Sequence, residues 1–276
     1  MRSAGPPVGS QVVKARLVIV GGGKMGEALL VGVLASRWAK APEIVVVEPV
    51  AARRDQLKAT RRGVVVRTTV PSGADGVVLA VKPADMEEAS RAVAATHPAR
   101  VLSIAGGVTL ARLEGWLGDI PVIRAMPNTA ALVGAGAAAI APGSTAGPGD
   151  LAWAEEILGG VGLVVRVTEK ALDAVTGLSG SGPAYLFLVA EAMVEAGVLA
   201  GLDRATSSAL TRQTFVGAAR LLDESGDLPE ILRAAVTSPG GTTAAGLRVL
   251  EQRAVRAAFL DAVAAAAQRS RELGQA

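Results

Sequence analysis

A short apolar run that leads directly into closely spaced glycines constrains the fold of this chain more than any other feature. Leu17–Val20 is followed at once by GGGKMG, in which Gly21, Gly23 and Gly26 fit the pattern G-x-G-x-x-G between a strand and a helix. In such loops the first glycine permits a tight turn, the second lets the backbone approach a diphosphate, and the third lets the helix pack on the strand. The pattern predicts a dinucleotide held by free N–H groups at a helix N-terminus.

The end of the second predicted strand bears on the choice of dinucleotide. Glu48 follows Gly26 by 22 residues, close to the spacing expected for an acid that binds the ribose. A carboxylate here would accept a hydrogen bond from the 2′-hydroxyl of NAD and would repel the 2′-phosphate of NADP. Arg53 and Arg54 could instead pair with that phosphate, or could form a solvated helix face. These residues leave both cofactors open.

The first half of the chain alternates short β-branched runs with helical stretches. Near-continuous apolar strands separated by helices are typical of a parallel sheet covered on both faces. The predicted strands are Arg16–Val20, Ile44–Glu48, Val64–Arg67, Val77–Val81, Arg100–Ile104, Val122–Ala125, Gly136–Ala141 and Leu163–Val167. The predicted helices among them are Met25–Ser36, Val50–Thr60, Asp85–Ala95, Leu110–Leu117 and Pro148–Leu158.

The second half contains only helical patterns. The predicted helices there are Ala171–Val175, Ala184–Val198, Ala205–Leu222, Leu228–Ala235 and Thr243–Arg271. The change predicts a loose leader over residues 1–15, an α/β Rossmann domain over 16–167 and an all-helical domain over 168–276. Ala184–Val198 is apolar nearly all round, which favours either a subunit interface or the centre of a monomeric bundle.

Composition argues against several classes of protein. The chain has no cysteine and a single histidine, so neither a thiolate nor a histidine-clustered metal site is predicted. The net charge is only +3, and basic and acidic residues are interspersed, which argues against nucleic-acid binding. Neither a secretory signal nor an uninterrupted apolar stretch of about 18 residues is visible, so we expect no membrane span and a cytoplasmic location.

Two segments that follow predicted strands point to the same crevice as the glycine loop. Lys82 and Pro83 come directly after the fourth strand, and Asn128 follows the sixth. Because ligands bind beyond the carboxyl ends of parallel strands, these residues are candidates for cofactor contacts. Asn128 offers the donor and the acceptor that a nicotinamide carboxamide requires. A plain turn is the alternative at each position.

Two segments of the helical half are rich in glycine and hydroxyl groups. Gly177–Tyr185 reads GLSGSGPAY, and Val236–Thr243 reads VTSPGGTT. Hydroxyls, glycine N–H groups and a helix N-terminus together form a compact cradle for a small carboxylate. The residues therefore predict an anion site, with a plain interhelical turn as the alternative.

Taken in order, these motifs resemble the pyrroline-5-carboxylate reductase family. The matching stretches are GGGKMG (21–26), AVKP (80–83), SIAGGVT (103–109), RAMPN (124–128), SGSGPAY (179–185) and SPGGTT (238–243), and Leu232–Glu251 resembles the family signature. The resemblance extends from about Arg16 to Leu273. It implies a Rossmann domain followed by a helical dimerisation domain, a homodimer with decamers in many members, and reduction of 1-pyrroline-5-carboxylate to L-proline in proline biosynthesis, with NADPH or possible use of NADH.

The resemblance also implies roles for individual residues. Ser238, Gly240, Gly241, Thr242 and Thr243 would bind the substrate: the Ser238 hydroxyl and the N–H groups of the last three would hold the carboxylate, and the Thr243 hydroxyl would face the ring nitrogen. The residues predicted to contact the cofactor, from the motifs and the resemblance together, are Gly21, Gly23, Lys24, Met25, Gly26, Glu48, Arg53, Ala80, Val81, Lys82, Pro83, Ala105, Gly106, Met126, Pro127 and Asn128. Many relatives carry Ser, Thr or Arg where this chain has Glu48 followed by proline, which leaves the preferred cofactor open.

Two other functions compete with this interpretation. Hydroxyacid dehydrogenases of similar architecture place a catalytic lysine on the helix after a similar glycine loop, whereas Pro183–Leu188 contains none. An imine reductase of broader specificity would also act on imines that lack a carboxylate. A nicotinamide-binding regulatory protein would not consume NADPH in the presence of the pyrroline substrate.

Overall fold

The computed structural model describes residues 15–275, so the predicted leader lies outside the described residues apart from Ala15. The described residues up to Gly180, together with residues 268–275, form one compact unit, and Ser181–Ala267 form a second. This boundary falls later than the predicted change at 167–168. The reason is that a short helix and a π-helical turn, which follow the last strand, still pack on the sheet.

The first unit is built on one eight-stranded sheet with the strand order β3-β2-β1-β4-β5-β6-β7-β8. The strands are β1 (Leu17–Val20), β2 (Ile44–Val47), β3 (Val65–Arg67), β4 (Val77–Leu79), β5 (Val101–Ser103), β6 (Val122–Pro127), β7 (Gly136–Pro142) and β8 (Gly162–Arg166). Neighbouring strands from β3 through β6 are parallel. All eight lie where the sequence predicts them, with small differences at their ends.

Helices cover both faces of the sheet, so its central strands are buried on both sides. The helices of this part are α1 (Lys24–Ala35), α2 (Ala51–Thr60), α3 (Met86–Ala94), α4 (Leu110–Leu117) and α5 (Pro148–Gly159). Alternate residues of β1 enter different apolar clusters: Ile19 belongs to the same cluster as Leu29, and Val18 belongs to the other cluster, with Leu113. This burial on both sides explains why the strands read as unbroken apolar runs.

The pair β6–β7 is the exception to the parallel arrangement of the sheet. β7 runs antiparallel to β6, with Ala125 opposite Ile140, and β8 runs parallel to β7. The connection between β6 and β7 spans only residues 128–135. A parallel crossover needs a dozen or more residues, so a chain this short can return only in the antiparallel direction. The sheet is therefore mixed.

The remaining helices are α6 (Leu172–Val175), α7 (Gly182–Leu199), α8 (Arg204–Ser225), α9 (Pro229–Ala235), α10 (Thr242–Gln252) and α11 (Val255–Gln275). The prediction of one helix from Thr243 to Arg271 is wrong, because the chain breaks between α10 and α11. Ala254 has a φ of 54°, in the left-handed region, and this conformation ends the right-handed helix. An alanine gives no sequence signal for such a break.

Helix α7 exposes a large apolar surface in the single chain. Leu186, Phe187 and Leu188 have exposed fractions of 54%, 65% and 66%. The helical stretch Glu169–Leu199 also has the length and the mean hydropathy, 1.4, of a membrane-crossing helix by composition alone, so the expected absence of a span stays a prediction. Soluble proteins rarely leave so much apolar surface in contact with water. We therefore expect the apolar side chains of α7 to be buried against another surface.

Candidate active site

The glycine loop forms a cradle that side chains would fill. Gly21 follows β1 with a φ of +104°, and a Cβ there would lie 2.6 Å from the Ala80 carbonyl oxygen. A Cβ on Gly26 would collide with the Gly21 carbonyl oxygen, so this glycine lets α1 begin against the loop. Gly23, the N-cap of α1, has nothing within 4 Å of the position its Cβ would take. This open space at a helix N-terminus suits the close approach of a diphosphate.

The strand order brings the other predicted cofactor residues to the same edge of the sheet. β1 lies between β2 and β4, so the winding of the sheet reverses at β1, and ligands bind beyond the strand ends at such a point. The predicted residues at these ends are Ala80–Pro83 after β4, Ala105–Gly106 after β5 and Met126–Asn128 at the end of β6. A Cβ on Gly106 would lie 3.9 Å from the Met126 sulfur, which shows how closely the ends of β5 and β6 approach.

A cleft of about 550 Å³ opens beside Gly21 at the ends of β1, β2 and β4. Its volume falls within the range of about 300–1,000 Å³ that is usual for small-molecule sites. Apolar side chains form much of the wall, and Thr68, Thr69, Asp85 and Glu88 add polar groups. The sequence interpretation missed these four residues. Thr68 and Thr69 directly follow β3, so the rule that ligands bind at strand ends would have found them.

Glu48 lies directly after β2 and is buried, with 7% of its surface exposed. Its Oε2 accepts a hydrogen bond from the Gly22 N–H at 3.0 Å, and its Oε1 accepts one from the Val50 N–H at 2.9 Å. The carboxylate therefore ties the end of β2 to the glycine loop. The structure places the acid where the sequence spacing predicts, and its contact with a ribose stays a prediction.

The two arginines of α2 are bound within the protein. Arg53 donates from Nε to the Gly22 carbonyl at 2.6 Å and from its terminal nitrogen to Glu27 at 2.5 Å. Arg54 donates to two backbone carbonyls just after β2. These contacts anchor both side chains, through Nε and a terminal nitrogen in Arg53 and through Nη1 in Arg54. The Arg53 side chain thereby braces the glycine loop, and its suggested phosphate contact stays a prediction.

Glu27 is the acidic partner in this network. Its carboxylate pairs with Arg53 at 2.5 Å and with Arg61 at 2.9 Å. Burial alone raises the pKa of Glu27, but the hydrogen bonds and positive charges of Arg53 and Arg61 outweigh this effect, so the pKa lies below its ordinary value of 4.5. The network holds α1 and α2 together behind the loop.

Replacing Glu27 with glutamine should lower the free energy of unfolding by about 1 kcal/mol near neutral pH, because two arginines lose their anionic partner. The depressed pKa means that this stabilisation is complete above pH 4.5 and is lost as the pH falls through the lower folded value. Urea unfolding near neutral pH and at about pH 3 checks this. The difference between variant and wild type should shrink in acid, and an equal difference at both pH values would contradict the account.

Asn128 braces three segments at the end of β6. Its Nδ2 donates to the Ser179 carbonyl at 3.0 Å, and its Oδ1 accepts from the Ala137 N–H at 3.1 Å. The amide thus joins β6, β7 and the π-helical turn Thr176–Gly180. One donor and one acceptor position of the amide are left over, so the predicted nicotinamide contact stays a prediction. The bracing role was not predicted.

The second unit contains the Ser-Pro-Gly-Gly-Thr-Thr turn, residues 238–243, between α9 and α10. Gly240 has a φ of +71°, which favours glycine, and α10 begins at Thr242 with Gly241 as its N-cap. A Cβ on Gly241 would collide with the Ser238 hydroxyl oxygen. The absence of a side chain at Gly241 therefore lets this hydroxyl lie close to the start of the helix.

One predicted donor in this turn is already occupied. The Gly241 N–H donates to the Ser238 carbonyl at 3.0 Å, so it closes the turn and does not point freely toward a ligand. The expected contact of the Gly241 N–H with the carboxylate stays a prediction. The N–H groups of Thr242 and Thr243 lie in the first turn of α10, where backbone donors have no partner within the helix. Together with the Ser238 hydroxyl they can bind a small carboxylate.

The predicted site residues are divided between the two compact units. All of the cofactor residues belong to the first unit, and the turn at 238–243 belongs to the second. The cofactor residues come from segments that are separate in sequence, whereas the substrate residues belong to a single turn. The geometry therefore suits dinucleotide binding in the first unit and carboxylate binding in the second, and both stay predictions.

Both halves of the chain match sequence models of known families. Residues 169–273 match the model described as pyrroline-5-carboxylate reductase dimerisation, and residues 16–107 match the model described as NADP oxidoreductase, coenzyme F420-dependent. The first match covers α6 through most of α11, and the second covers β1 through β5.

Relatives that match over nearly their whole length are named pyrroline-5-carboxylate reductase. A pyrroline-5-carboxylate reductase from Synechocystis sp. is 46% identical over 267 residues, which cover 94% of this chain and 98% of the relative. The structure of a pyrroline-5-carboxylate reductase from Coxiella burnetii, 37% identical, superimposes with a TM-score of 0.88 over 94% of this chain and 98% of its own. The Plasmodium falciparum pyrroline carboxylate reductase with NADP bound, 28% identical, gives 0.81 over 96% of this chain and 100% of its own. The chain belongs to the pyrroline-5-carboxylate reductase family.

Proposed function

We propose that this protein is an NAD(P)H-dependent oxidoreductase that reduces 1-pyrroline-5-carboxylate to L-proline, the last step of proline biosynthesis. The observation that carries the proposal is the turn at 238–243, which brings the Ser238 hydroxyl close to the start of α10 in a chain whose other unit holds the glycine loop. Near-full-length identity of 46% to a reductase of this name supports it.

The cofactor residues have positions that suit binding and orientation. A bound nicotinamide supplies the hydride that adds to the imine carbon. The N–H groups at the start of α1 and the open space beside Gly23 would hold the diphosphate. The exposed Lys82 after β4 could approach the phosphates, and the ends of β5 and β6, near Gly106 and Met126, would carry the nicotinamide half. This division leaves the cleft at the ends of β1, β2 and β4 for the adenosine.

The substrate residues would fix the imine by its carboxylate. The Ser238 hydroxyl and the N–H groups of Thr242 and Thr243 would bind this group at the start of α10, where the helix dipole favours a negative charge. The Thr243 hydroxyl would form a hydrogen bond with the ring nitrogen. Threonine is a weak acid, so we assign it an orienting role, with water as the source of the proton. Orientation of this kind contributes to the rate by holding the imine carbon in reach of the hydride.

A homodimer is the form we propose for the active protein. The dimerisation-family match includes α7, whose apolar side chains are exposed in the single chain. A second copy of the same helices would cover this surface and remove the need for a membrane or another partner. A decamer built from such dimers and a cytoplasmic location are further proposals, which mass photometry and cell fractionation would test.

Replacing Phe187 with aspartate should convert the dimer to monomer or aggregate, because the charge would be buried at the proposed interface. Val133→Asp is a matched control, because Val133 is 82% exposed but lies outside the dimerisation-family match. Sedimentation velocity over a dilution series checks both variants. A Phe187→Asp protein that remains as dimeric as the wild type would contradict the interface.

The direct test is a rate assay that follows loss of NADPH or NADH absorbance with 1-pyrroline-5-carboxylate and with 1-pyrroline, which lacks the carboxylate. We expect turnover of the first substrate and a much lower kcat/KM for the second. Equal kcat/KM values would favour an imine reductase of broad specificity. Dinucleotide binding without turnover of either imine would favour a regulatory protein.

A further inference from the structure

We infer that Glu48 makes this protein select NADH over NADPH. The inference rests on the proposed function, because it concerns the dinucleotide that serves that reaction. The sequence alone left the choice between Glu48 and the arginines of α2 open. The contacts of these three side chains decide it.

The position of the Glu48 carboxylate is fixed. It is buried at the end of β2, and backbone N–H groups on two sides donate to its two oxygens, Gly22 to Oε2 at 3.0 Å and Val50 to Oε1 at 2.9 Å. Charge-assisted hydrogen bonds of this kind hold a side chain in one place. The carboxylate is therefore held in one position in the wall beside the glycine loop.

This place in the fold is where the ribose of the adenosine half lies. An acid at the end of the second strand of a Rossmann fold accepts a hydrogen bond from the ribose 2′-hydroxyl. An ionised carboxylate has about four acceptor positions, and the two backbone donors use only two. Glu48 can therefore bind the 2′-hydroxyl of NADH without giving up its own contacts. A 2′-phosphate, with about −1.5 to −2 charges, would meet a like charge that cannot move away.

The basic side chains beside this acid are bound elsewhere. Arg53 is held by the Gly22 carbonyl, Glu27 and Gln56, and Arg54 is held by two carbonyls just after β2. Arg53 is already paired with the Glu27 carboxylate, and Nη1 of Arg54 is anchored to the backbone, so neither side chain can move toward a phosphate without breaking these contacts. The exception is Arg67 at the end of β3, whose carbonyl accepts from the Glu48 N–H and whose side chain is exposed. The test below therefore includes Arg67.

The cleft next to Glu48 has the same sign of charge. The charged side chains among its lining residues are Asp85 and Glu88, both acidic. Thr68 and Thr69 add hydroxyls that can bond to an adenine or a ribose. A cleft lined in this way binds a neutral adenosine more readily than one with an additional phosphate.

The experiment measures dissociation constants for NADH, NADPH, NAD⁺ and NADP⁺ by isothermal titration calorimetry, with the full chain and without substrate. The variants are Glu48→Gln, which keeps the shape and one acceptor oxygen, and Arg67→Ala. Glu87→Gln is the matched control, because Glu87 is 55% exposed, pairs with Arg91 and does not line the cleft. Thermal unfolding of each variant establishes that it is folded.

We expect the wild type to bind NADH at least ~10-fold more tightly than NADPH, a difference of about 1.4 kcal/mol. Glu48→Gln should reduce this ratio by about 10-fold, chiefly by strengthening NADPH binding, and Glu87→Gln should leave it unchanged. Tighter binding of NADPH by the wild type, or a ratio that Glu48→Gln does not alter, would overturn the inference. The inference would also be overturned if the wild type bound NADPH as tightly as NADH and if Arg67→Ala lost the binding of NADPH.

The inference and the proposed function fail in different ways. If the protein reduces 1-pyrroline-5-carboxylate but binds NADPH more tightly, only the role of Glu48 is wrong. If neither dinucleotide binds, or if neither supports reduction of the imine, the proposed function is wrong, and the inference falls with it.

Discussion

Replacing Gly23 with alanine should weaken dinucleotide binding by about 100-fold, or about 2.7 kcal/mol, while the free energy of unfolding changes by less than about 1 kcal/mol. Gly23 has an ordinary φ of −67°, and the space that its Cβ would enter is empty of protein atoms. A methyl group there would meet the diphosphate and nothing else. Calorimetric titration with NADH and NADPH and urea unfolding of the same sample check the two halves of this prediction.

Gly21→Ala is the matched comparison for Gly23→Ala. At Gly21 the φ of +104° strains any L side chain, and the new Cβ would press on the Ala80 carbonyl. We expect this variant to lose both dinucleotide affinity and stability, the latter by roughly 1–3 kcal/mol. If Gly23→Ala destabilised the fold as much as Gly21→Ala and bound the dinucleotide normally, the loop would be a structural turn and no phosphate cradle.

Replacing Thr243 with alanine should reduce kcat with 1-pyrroline-5-carboxylate by about 10–100-fold, less than the loss of a true general acid would. The Thr243 N–H at the start of α10 is kept in this variant, so the KM should change little. Thr243→Ser, which restores the hydroxyl, should recover most of the rate. Initial rates over a range of substrate concentrations at saturating NADH or NADPH separate kcat from KM.

Two outcomes would contradict the role of Thr243. Full activity of Thr243→Ala would show that the hydroxyl does not orient the imine. An equally slow Thr243→Ser protein would show that the loss arises from the altered helix start, because the serine hydroxyl occupies the same position relative to the backbone.

Much of the first unit could be predicted from sequence because its signals are local. Each central strand is buried on both faces, so a run such as Ile44–Val47 is apolar without interruption. The glycine loop is recognisable because a side chain at Gly21 or at Gly26 would collide with a backbone carbonyl oxygen, so both positions require glycine. The direction of β7 could have been inferred in the same way from the short connection before it.

The features that were missed depend on contacts between distant segments. Arg53 is bound by Glu27 and by the Gly22 carbonyl, which lie 26 and 31 residues before it in the sequence. The break at Ala254 has no sequence signal, because alanine is the best helix former. Occupation of the Gly241 N–H by the Ser238 carbonyl follows from turn geometry that a motif does not specify. Composition and spacing therefore do not reveal which donors of the predicted site residues are already bonded within the protein.

The central claim is that the turn at the start of α10 binds the carboxylate of the imine, and one ratio tests it most directly. The measurement is kcat/KM for 1-pyrroline-5-carboxylate divided by kcat/KM for 1-pyrroline, in the wild type and in Ser238→Ala. The account predicts that the substitution lowers this ratio by about 10-fold or more, because the removed hydroxyl contacts only the carboxylated substrate. A ratio that stays at the wild-type value would contradict the claim.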